Sequence, residues 1–125
     1  MKYHAYIKKI DSIIEEEVTI KINNTELVVF VNTCPYAIEE GTSYPVSLDI
    51  TVLDDLEIEV IDECKKGFVR SDDSFVYEIK GLLTEDGIID AGVLIDTELV
   101  KDYQYLYGKF VRIKVDRINA EFLIQ

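Results

Sequence analysis

Apolar and polar residues alternate with a period of two from Val46 to Val60. Successive side chains of a β-strand point to opposite faces, so this alternation predicts extended structure with one buried face and one face in water. The water-facing positions include Asp49, Asp55, Glu57 and Glu59. A straight strand of this length would span roughly 50 Å, which is too long for a small domain, so we expect a bend or break near Asp54.

A two-residue hairpin is predicted shortly before this strand. Apolar residues occupy even positions from 18 to 22 and odd positions from 27 to 31, on either side of two adjacent asparagines. A turn at the asparagines places Ile20 opposite Leu27, which brings both apolar sets to one face. Because Asn tolerates positive φ, we expect a type I′ turn.

Other segments carry weaker signals of the same kind. Residues 2–10 predict a first strand, and residues 32–41 contain a proline and predict a loop. An Asp-Gly dipeptide predicts a hairpin over residues 75–95. Apolar residues at three- and four-residue spacing predict one short helix over about 97–107. In the closing segment the alternation changes phase at Asp116-Arg117, which a two-residue turn or a bulge would produce.

The order of these elements predicts an all-β protein with one short helix. We expect a small antiparallel barrel, for which an OB-like fold is one candidate, because OB barrels carry a helix between their third and fourth strands. The barrel would run from about Ser43 to Gln125, and residues 1–31 would add an N-terminal strand and hairpin within one domain of residues 1–125. Another closed or half-open β architecture and an α+β fold are the alternatives.

The charge of the chain narrows the choice of partners. There are 25 acidic and 13 basic residues in 125, a formal net charge of −12. Nine carboxylates and no Lys, Arg or His lie between Glu39 and Glu63. Such a field repels phosphate backbones and anionic membranes, and it favours either solubility alone or a basic protein partner. No secretory signal and no apolar run of about 20 residues are visible, so we expect a cytoplasmic protein without a membrane partner.

The sequence offers little catalytic chemistry. His4 is the one histidine, the glycines form no phosphate-binding loop, and Cys34 and Cys64 are too isolated for a zinc site. We therefore expect no catalytic residues, no metal and no cofactor, and we interpret the chain as a non-enzymatic protein. An enzyme that uses paired carboxylates is a further hypothesis, because spatial pairing cannot be seen in a sequence.

Two sets of residues are candidates for binding. The first would engage a basic partner, such as the target of an inhibitor, of an immunity-type protein or of an assembly subunit, and comprises Asp49, Asp55, Glu57, Glu59, Tyr36 and Tyr105. The second is an alternative for single-stranded nucleic acid or an oligosaccharide, and comprises Lys109, Arg112, Lys114 and Arg117. The negative net charge argues against nucleic acid, and we prefer the view that these bases lie beside the acidic strand and offset its repulsion through cross-strand pairs.

Overall fold

The computed structural model describes residues 2–124, and these residues form an almost entirely β structure, as predicted. In chain order the strands are β1 (Lys2–Ile10), β2 (Glu17–Ile22), β3 (Thr25–Thr33), β4 (Ser43–Thr51), β5 (Ile58–Val60), β6 (Gly67–Arg70), β7 (Tyr77–Leu83), β8 (Ile89–Asp90), β9 (Leu94–Ile95), β10 (Lys109–Val115) and β11 (Arg117–Phe122). They are divided between a closed barrel and a second sheet.

The barrel consists of five strands in the order β1-β2-β3-β11-β4, and β1 closes the ring by pairing with β4. The β3–β11 pair is parallel and the other pairs are antiparallel. The N-terminal strand and hairpin, expected to pack against a barrel of residues 43–125, are themselves three of its strands. Their alternating apolar residues are almost fully buried, and closing the ring with β4 and β11 is what buries them.

The second sheet is built from the part of the chain between β4 and β11. Its strands follow the order β5-β10-β7-β8-β9, and β6 pairs with β7 beside β8, on the edge of β7 that faces away from β10. The predicted hairpin is present as β7 and β8, with Gly87 at a φ of 77° in its turn. The predicted partner strand does not run on to Ile95, because the chain reverses near Gly92, where φ is 97°, and β9 pairs antiparallel with β8.

The acidic strand breaks where the sequence predicts. Its first half is β4 of the barrel, with Val46, Leu48 and Ile50 buried and Asp49 exposed. Its second half is the short β5, which belongs to the second sheet. The alternation therefore predicts the two faces of β4 correctly, whereas on β5, in the second sheet, Val60 of the predicted inner face is 46% exposed.

The register of the first hairpin is also as predicted, with Ile20 opposite Leu27 and Val18 opposite Val29. The turn type differs from the expectation. Asn23 has a φ of 55°, whereas Asn24 is not among the residues with positive φ in the described chain. A type I′ turn needs positive φ at both central residues, so this turn is of another type.

The segment predicted as one helix instead forms two 3₁₀ turns, Glu98–Val100 and Gln104–Leu106. Thr97 caps the first, as a helix start would require, but the backbone bonds that follow all join residues three apart. Tyr103 then adopts φ −109° and ψ 34°, which interrupts helical continuation. Within residues 2–124 no helix is long and apolar enough to cross a bilayer.

The closing segment is not a hairpin, because its two strands, β10 and β11, lie in different sheets. β10 pairs with β5 and β7 in the second sheet, and β11 pairs with β3 and β4 in the barrel. The phase change predicted at Asp116-Arg117 is the point where the chain passes between them. The buried residues of both sheets form a continuous core.

Two tyrosine hydroxyls tie the sheets together by accepting backbone bonds. The hydroxyl of Tyr77 on β7 accepts from the Val28 N–H of the barrel at 2.8 Å, and the hydroxyl of Tyr3 accepts from the Leu94 N–H at 2.6 Å. Burial raises the pKa of Tyr77 above its ordinary value. The neutral hydroxyl is therefore maintained at the contact between the sheets.

We predict that Tyr77→Phe lowers the free energy of unfolding by about 1–3 kcal/mol, because it leaves the Val28 N–H without its acceptor. Urea denaturation measures the loss. Tyr105→Phe is the control, since Tyr105 is 72% exposed, and it should change stability by less than about 0.5 kcal/mol. Equal effects of the two substitutions would contradict a role for the Tyr77 hydroxyl between the sheets.

We also predict that Gly87→Ala destabilises the protein more than Gly92→Ala does. Both glycines have positive φ, but a Cβ at Gly87 would lie 2.5 Å from the Tyr107 hydroxyl, whereas a Cβ at Gly92 meets nothing within 4 Å. The shared backbone strain cancels in the comparison, so the difference of about 1–3 kcal/mol reports the overpacking. Thermal unfolding of both variants provides the measurement, and identical losses would rule out the steric contact.

Candidate functional site

A cleft lies where the chain passes between the barrel and the second sheet, from β4 to β5 and from β10 to β11. Thr51 is opposite Arg117 and Ile58 is opposite Ile113, so residues 52–57 bulge out against only residues 114–116. The resulting cavity of about 190 Å³, here called the junction cleft, is lined by Val52, Asp54, Asp55, Glu57, Lys114, Val115 and Asp116.

Asp116 holds the bulge in place. Its N–H donates to the Thr51 carbonyl at 2.9 Å, and its Oδ2 accepts from the Leu53 N–H at 2.7 Å. The bond to Leu53 fixes the start of residues 52–57 and directs the chain away from the barrel. The acidic residues that follow are consequently held at the rim of the junction cleft.

A second and larger cavity continues from the junction cleft, with which it shares Glu57 and Lys114. This tyrosine groove has a volume of about 660 Å³ and is lined by Leu56, Glu57, Ile58, Glu59, Glu78, Tyr103, Tyr105, Arg112 and Lys114. The rings of Tyr103 and Tyr105 lie side by side, with centroids 6.1 Å apart. A volume of this size lies within the range of ordinary ligand sites.

The two cavities together form a surface that we call the acidic face. It carries six carboxylates, those of Asp54, Asp55, Glu57, Glu59, Glu78 and Asp116, against the two bases Arg112 and Lys114. Arg112 donates to the Glu59 carboxylate, and this bond raises the pKa of Arg112. Within the described chain no base lies within 4 Å of the carboxylates of Asp54, Asp55 or Glu57.

Four of the six residues predicted to bind a basic partner meet on the acidic face: Asp55, Glu57, Glu59 and Tyr105. Asp49 lies elsewhere, on the outer surface of the barrel opposite Asn119. The half-buried Tyr36 also lies elsewhere. Its hydroxyl donates to the Leu123 carbonyl at 2.7 Å, and its ring centroid is 5.6 Å from that of Tyr44.

The bases of the alternative set do not form one strip. Arg112 and Lys114 line the acidic face, whereas Lys109 lies at the far end of β10 opposite Leu83. Arg117 places its guanidinium 4.1 Å from the centroid of the Phe30 ring, with its Nε buried. The structure thus brings half of this set to the same surface as the predicted acidic residues.

Groups considered for chemistry are scattered. In residues 2–124 no group of three or more His, Cys, Asp and Glu is arranged to hold a metal ion. His4 is exposed on β1, and Cys34 and Cys64 are exposed free thiols.

Sequence reasoning missed several residues of the acidic face. Asp54 lies within the acidic stretch, but the alternation indicated only a bend or break there and did not place it among the binding residues. Glu78, Tyr103 and Asp116 come from distant segments, and no local signal connects them with β5. Only the pairing of β5 with β10, and of β10 with β7, brings Glu78 to the same surface.

Comparison with known proteins identifies the family of the chain. The family model described as uncharacterised conserved protein UCP019853 matches residues 1–123. The chain belongs to this family. The match covers the barrel, the second sheet and the whole acidic face. No curated protein and no solved structure matches the chain.

Proposed function

We propose that this protein is a non-enzymatic binding module that engages a basic protein partner through the acidic face. An inhibitor, an immunity-type protein or a subunit of an assembly would act in this way. The observation that carries the proposal is the charge of the residues that line that face: six carboxylates against two bases, and among residues 2–124 no base lies within 4 Å of the carboxylates of Asp54, Asp55 or Glu57.

The shape of the acidic face supports binding rather than simple solvation. Carboxylates on a flat exposed strand are separated by water, whereas here Asp54, Asp55 and Glu57 surround a concave cleft. A cation that enters a cleft lined by carboxylates is attracted by all of them. A lysine or arginine of a partner would supply that cation.

The aromatic part of the face supplies contact area. Tyr105 is 72% exposed beside Tyr103, and tyrosine is enriched at the energetically important centres of protein interfaces. Tyrosine rings also attract arginine and lysine through the cation–π interaction. The net charge of −12 would steer a basic partner towards this surface and make association fast and sensitive to salt.

We further infer that the barrel is OB-like. The number of its strands supports this inference, because five strands close the ring in the order β1-β2-β3-β11-β4 and OB barrels are five-stranded. OB barrels bind oligonucleotides and oligosaccharides across their second and third strands. Such binding is the alternative function for this chain.

Contacts that the second sheet and its loops make with β2 and β3 favour binding through the acidic face over this alternative. Phe75 meets Phe30 edge-on with centroids 5.6 Å apart, the Tyr77 hydroxyl reaches Val28, and Arg70 lies 3.8 Å from Glu17. The second sheet therefore covers part of the surface where an OB barrel holds its ligand. The separation of Lys109 and Arg117 from Arg112 also weakens the alternative.

A cytoplasmic location is part of the proposal. Cys34 and Cys64 are exposed and unpaired, and exposed free thiols persist in reducing compartments. The partner is expected to be a basic protein of the same compartment.

The proposal is tested by neutralising the acidic face. A partner is first captured from native lysate at low salt, eluted by a salt gradient and purified. We predict that the triple variant Asp54→Asn, Asp55→Asn, Glu57→Gln lowers its association rate constant roughly tenfold at low salt, because the steering charges are removed. Stopped-flow measurements provide the rate constants.

The matched control neutralises three exposed carboxylates outside the acidic face, in the variant Glu15→Gln, Glu16→Gln, Asp86→Asn. Both triples change the net charge from −12 to −9, so a general charge effect is the same in each. The control should change the rate constant by less than about twofold. Equal effects of the two triples, or a rate constant independent of salt, would refute binding through the acidic face.

A second experiment tests the alternative function, the binding of an oligonucleotide or oligosaccharide. Short single-stranded oligonucleotides and oligosaccharides, titrated at low salt and followed by fluorescence anisotropy or calorimetry, are expected to show no binding, because Arg112 is already paired with Glu59. Binding that weakens on Arg112→Ala or Lys114→Ala would establish the alternative in place of the acidic module.

A further inference from the structure

The second sheet ends in a strand whose outer edge is open. β5 pairs with β10 on one side and is the terminal strand of the sheet order. The barrel has no such edge, because β1 pairs with β4 and closes the ring. An open edge presents backbone N–H and C=O groups at the spacing of a strand, and these groups can pair with an extended segment of another chain.

The register identifies the backbone groups at this edge. The Ile61 N–H donates to the Phe110 carbonyl at 3.0 Å, so these two residues form a hydrogen-bonded pair. Hydrogen-bonded and non-hydrogen-bonded pairs alternate along an antiparallel ladder, so Ile58 and Val60 belong to non-hydrogen-bonded pairs with β10. Their N–H and C=O groups therefore point away from β10. Within residues 2–124 neither N–H has a hydrogen-bond partner, and Val60 is 46% exposed.

The side chains beside the edge select the strand that can pair there. Glu57 and Glu59 both line the acidic face, and every second side chain of an added strand would lie next to them. Arg112 already neighbours Glu59, whereas no base in the described chain lies within 4 Å of the Glu57 carboxylate. Opposite charges across a strand pair stabilise it. The complementary strand therefore carries Lys or Arg at alternate positions.

A second copy of this chain is the poorer occupant of the edge. Antiparallel pairing of β5 with itself that uses Ile58 and Val60 of both copies places Glu59 directly opposite Glu59. Like charges in that position destabilise a strand pair. Two copies, each with a net charge of −12, also repel each other at long range.

We propose that an extended segment of the basic partner adds to β5 as an antiparallel strand, with its Lys or Arg side chains beside Glu57 and Glu59. The antiparallel sense follows the second sheet, in which the described strand pairs are antiparallel. Backbone bonds supply affinity in such a complex, and alternate side chains supply selectivity. This inference rests on the proposed function of the acidic face and adds how the partner docks there.

The test uses the peptide acetyl-Lys-Val-Lys-Val-Lys-amide and the ¹⁵N-labelled full chain. In antiparallel pairing its valines lie opposite Ile58 and Val60, and their N–H groups point to β5, whereas the lysine N–H groups point away. Two matched peptides carry N-methyl groups on both valines or on the last two lysines, so charge and side chains are unchanged. NMR titration at constant ionic strength follows the Ile58 and Val60 amide resonances.

Methylation of the valines is expected to weaken binding roughly tenfold relative to methylation of the lysines, because it removes two N–H donors to β5. Equal affinities of the two methylated peptides would overturn strand addition. The reverse preference would overturn the antiparallel pairing, because the lysine N–H groups point to β5 only in a parallel pair.

Substitutions in the chain separate the edge from the charge. Val60→Pro removes one edge N–H, leaves every carboxylate of the acidic face in place and should weaken binding of the unmethylated peptide roughly fivefold. Val60→Thr keeps the N–H and is the control, with an expected change of less than about twofold. Slow hydrogen exchange of the Ile61 amide shows that β5 remains paired with β10 in each variant.

The variant Glu57→Gln with Glu59→Gln distinguishes failure of this inference from failure of the proposed function. If it weakens binding while Val60→Pro and valine methylation do not, the acidic face remains the docking site and strand addition is rejected. If it leaves binding unchanged, binding through the acidic face is itself rejected.

Two further results would overturn the inference. The first is an absence of binding up to about 10 mM unmethylated peptide. The second is protection of the Ile58 and Val60 amides that rises with protein concentration when no peptide is present, which would make a second copy the occupant of the edge.

Discussion

The direct connection of β10, in the second sheet, to β11, in the barrel, is the constraint on which the structure depends. β11 follows β10 with only Asp116 between them, so neither sheet can form without positioning a strand of the other. The bonds from the Asp116 N–H to Thr51 and from the Leu53 N–H to the Asp116 carboxylate fix this passage. The buried core is continuous between the sheets, because the consecutive strands β10 and β11 supply apolar residues to both.

The acidic face is a consequence of this passage. Residues 52–57 are longer than the segment they oppose, and the excess chain bulges into a cleft instead of continuing a flat strand. Arg112 donates to Glu59 and Lys80 lies 3.9 Å from Glu78, whereas in the described chain no base lies within 4 Å of the carboxylates of Asp54, Asp55 or Glu57.

Local chemistry predicted much of the fold. The alternation from Val46 to Ile50, the pairing of Ile20 with Leu27 and the break after Thr51 are all present, because period-two patterning and turn residues act over a few positions. Residues 97–107 differ because helical spacing alone does not ensure helical backbone, and Tyr103 leaves helical dihedral angles. The place of β1 to β3 inside the barrel could not be predicted, because it depends on β1 pairing with β4 across a long sequence separation.

The sequence by itself determined which side chains of β2, β3 and β4 face the core and that the exposed side of the acidic strand is negative. The tertiary structure alone decided which exposed groups are neighbours. Glu78 and Tyr105 join Glu57 only through the order of strands in the second sheet, and Asn119 meets Asp49 only through the register of β11 on β4. Side-chain parity is a property of one strand, whereas adjacency depends on how strands compete to bury a shared core.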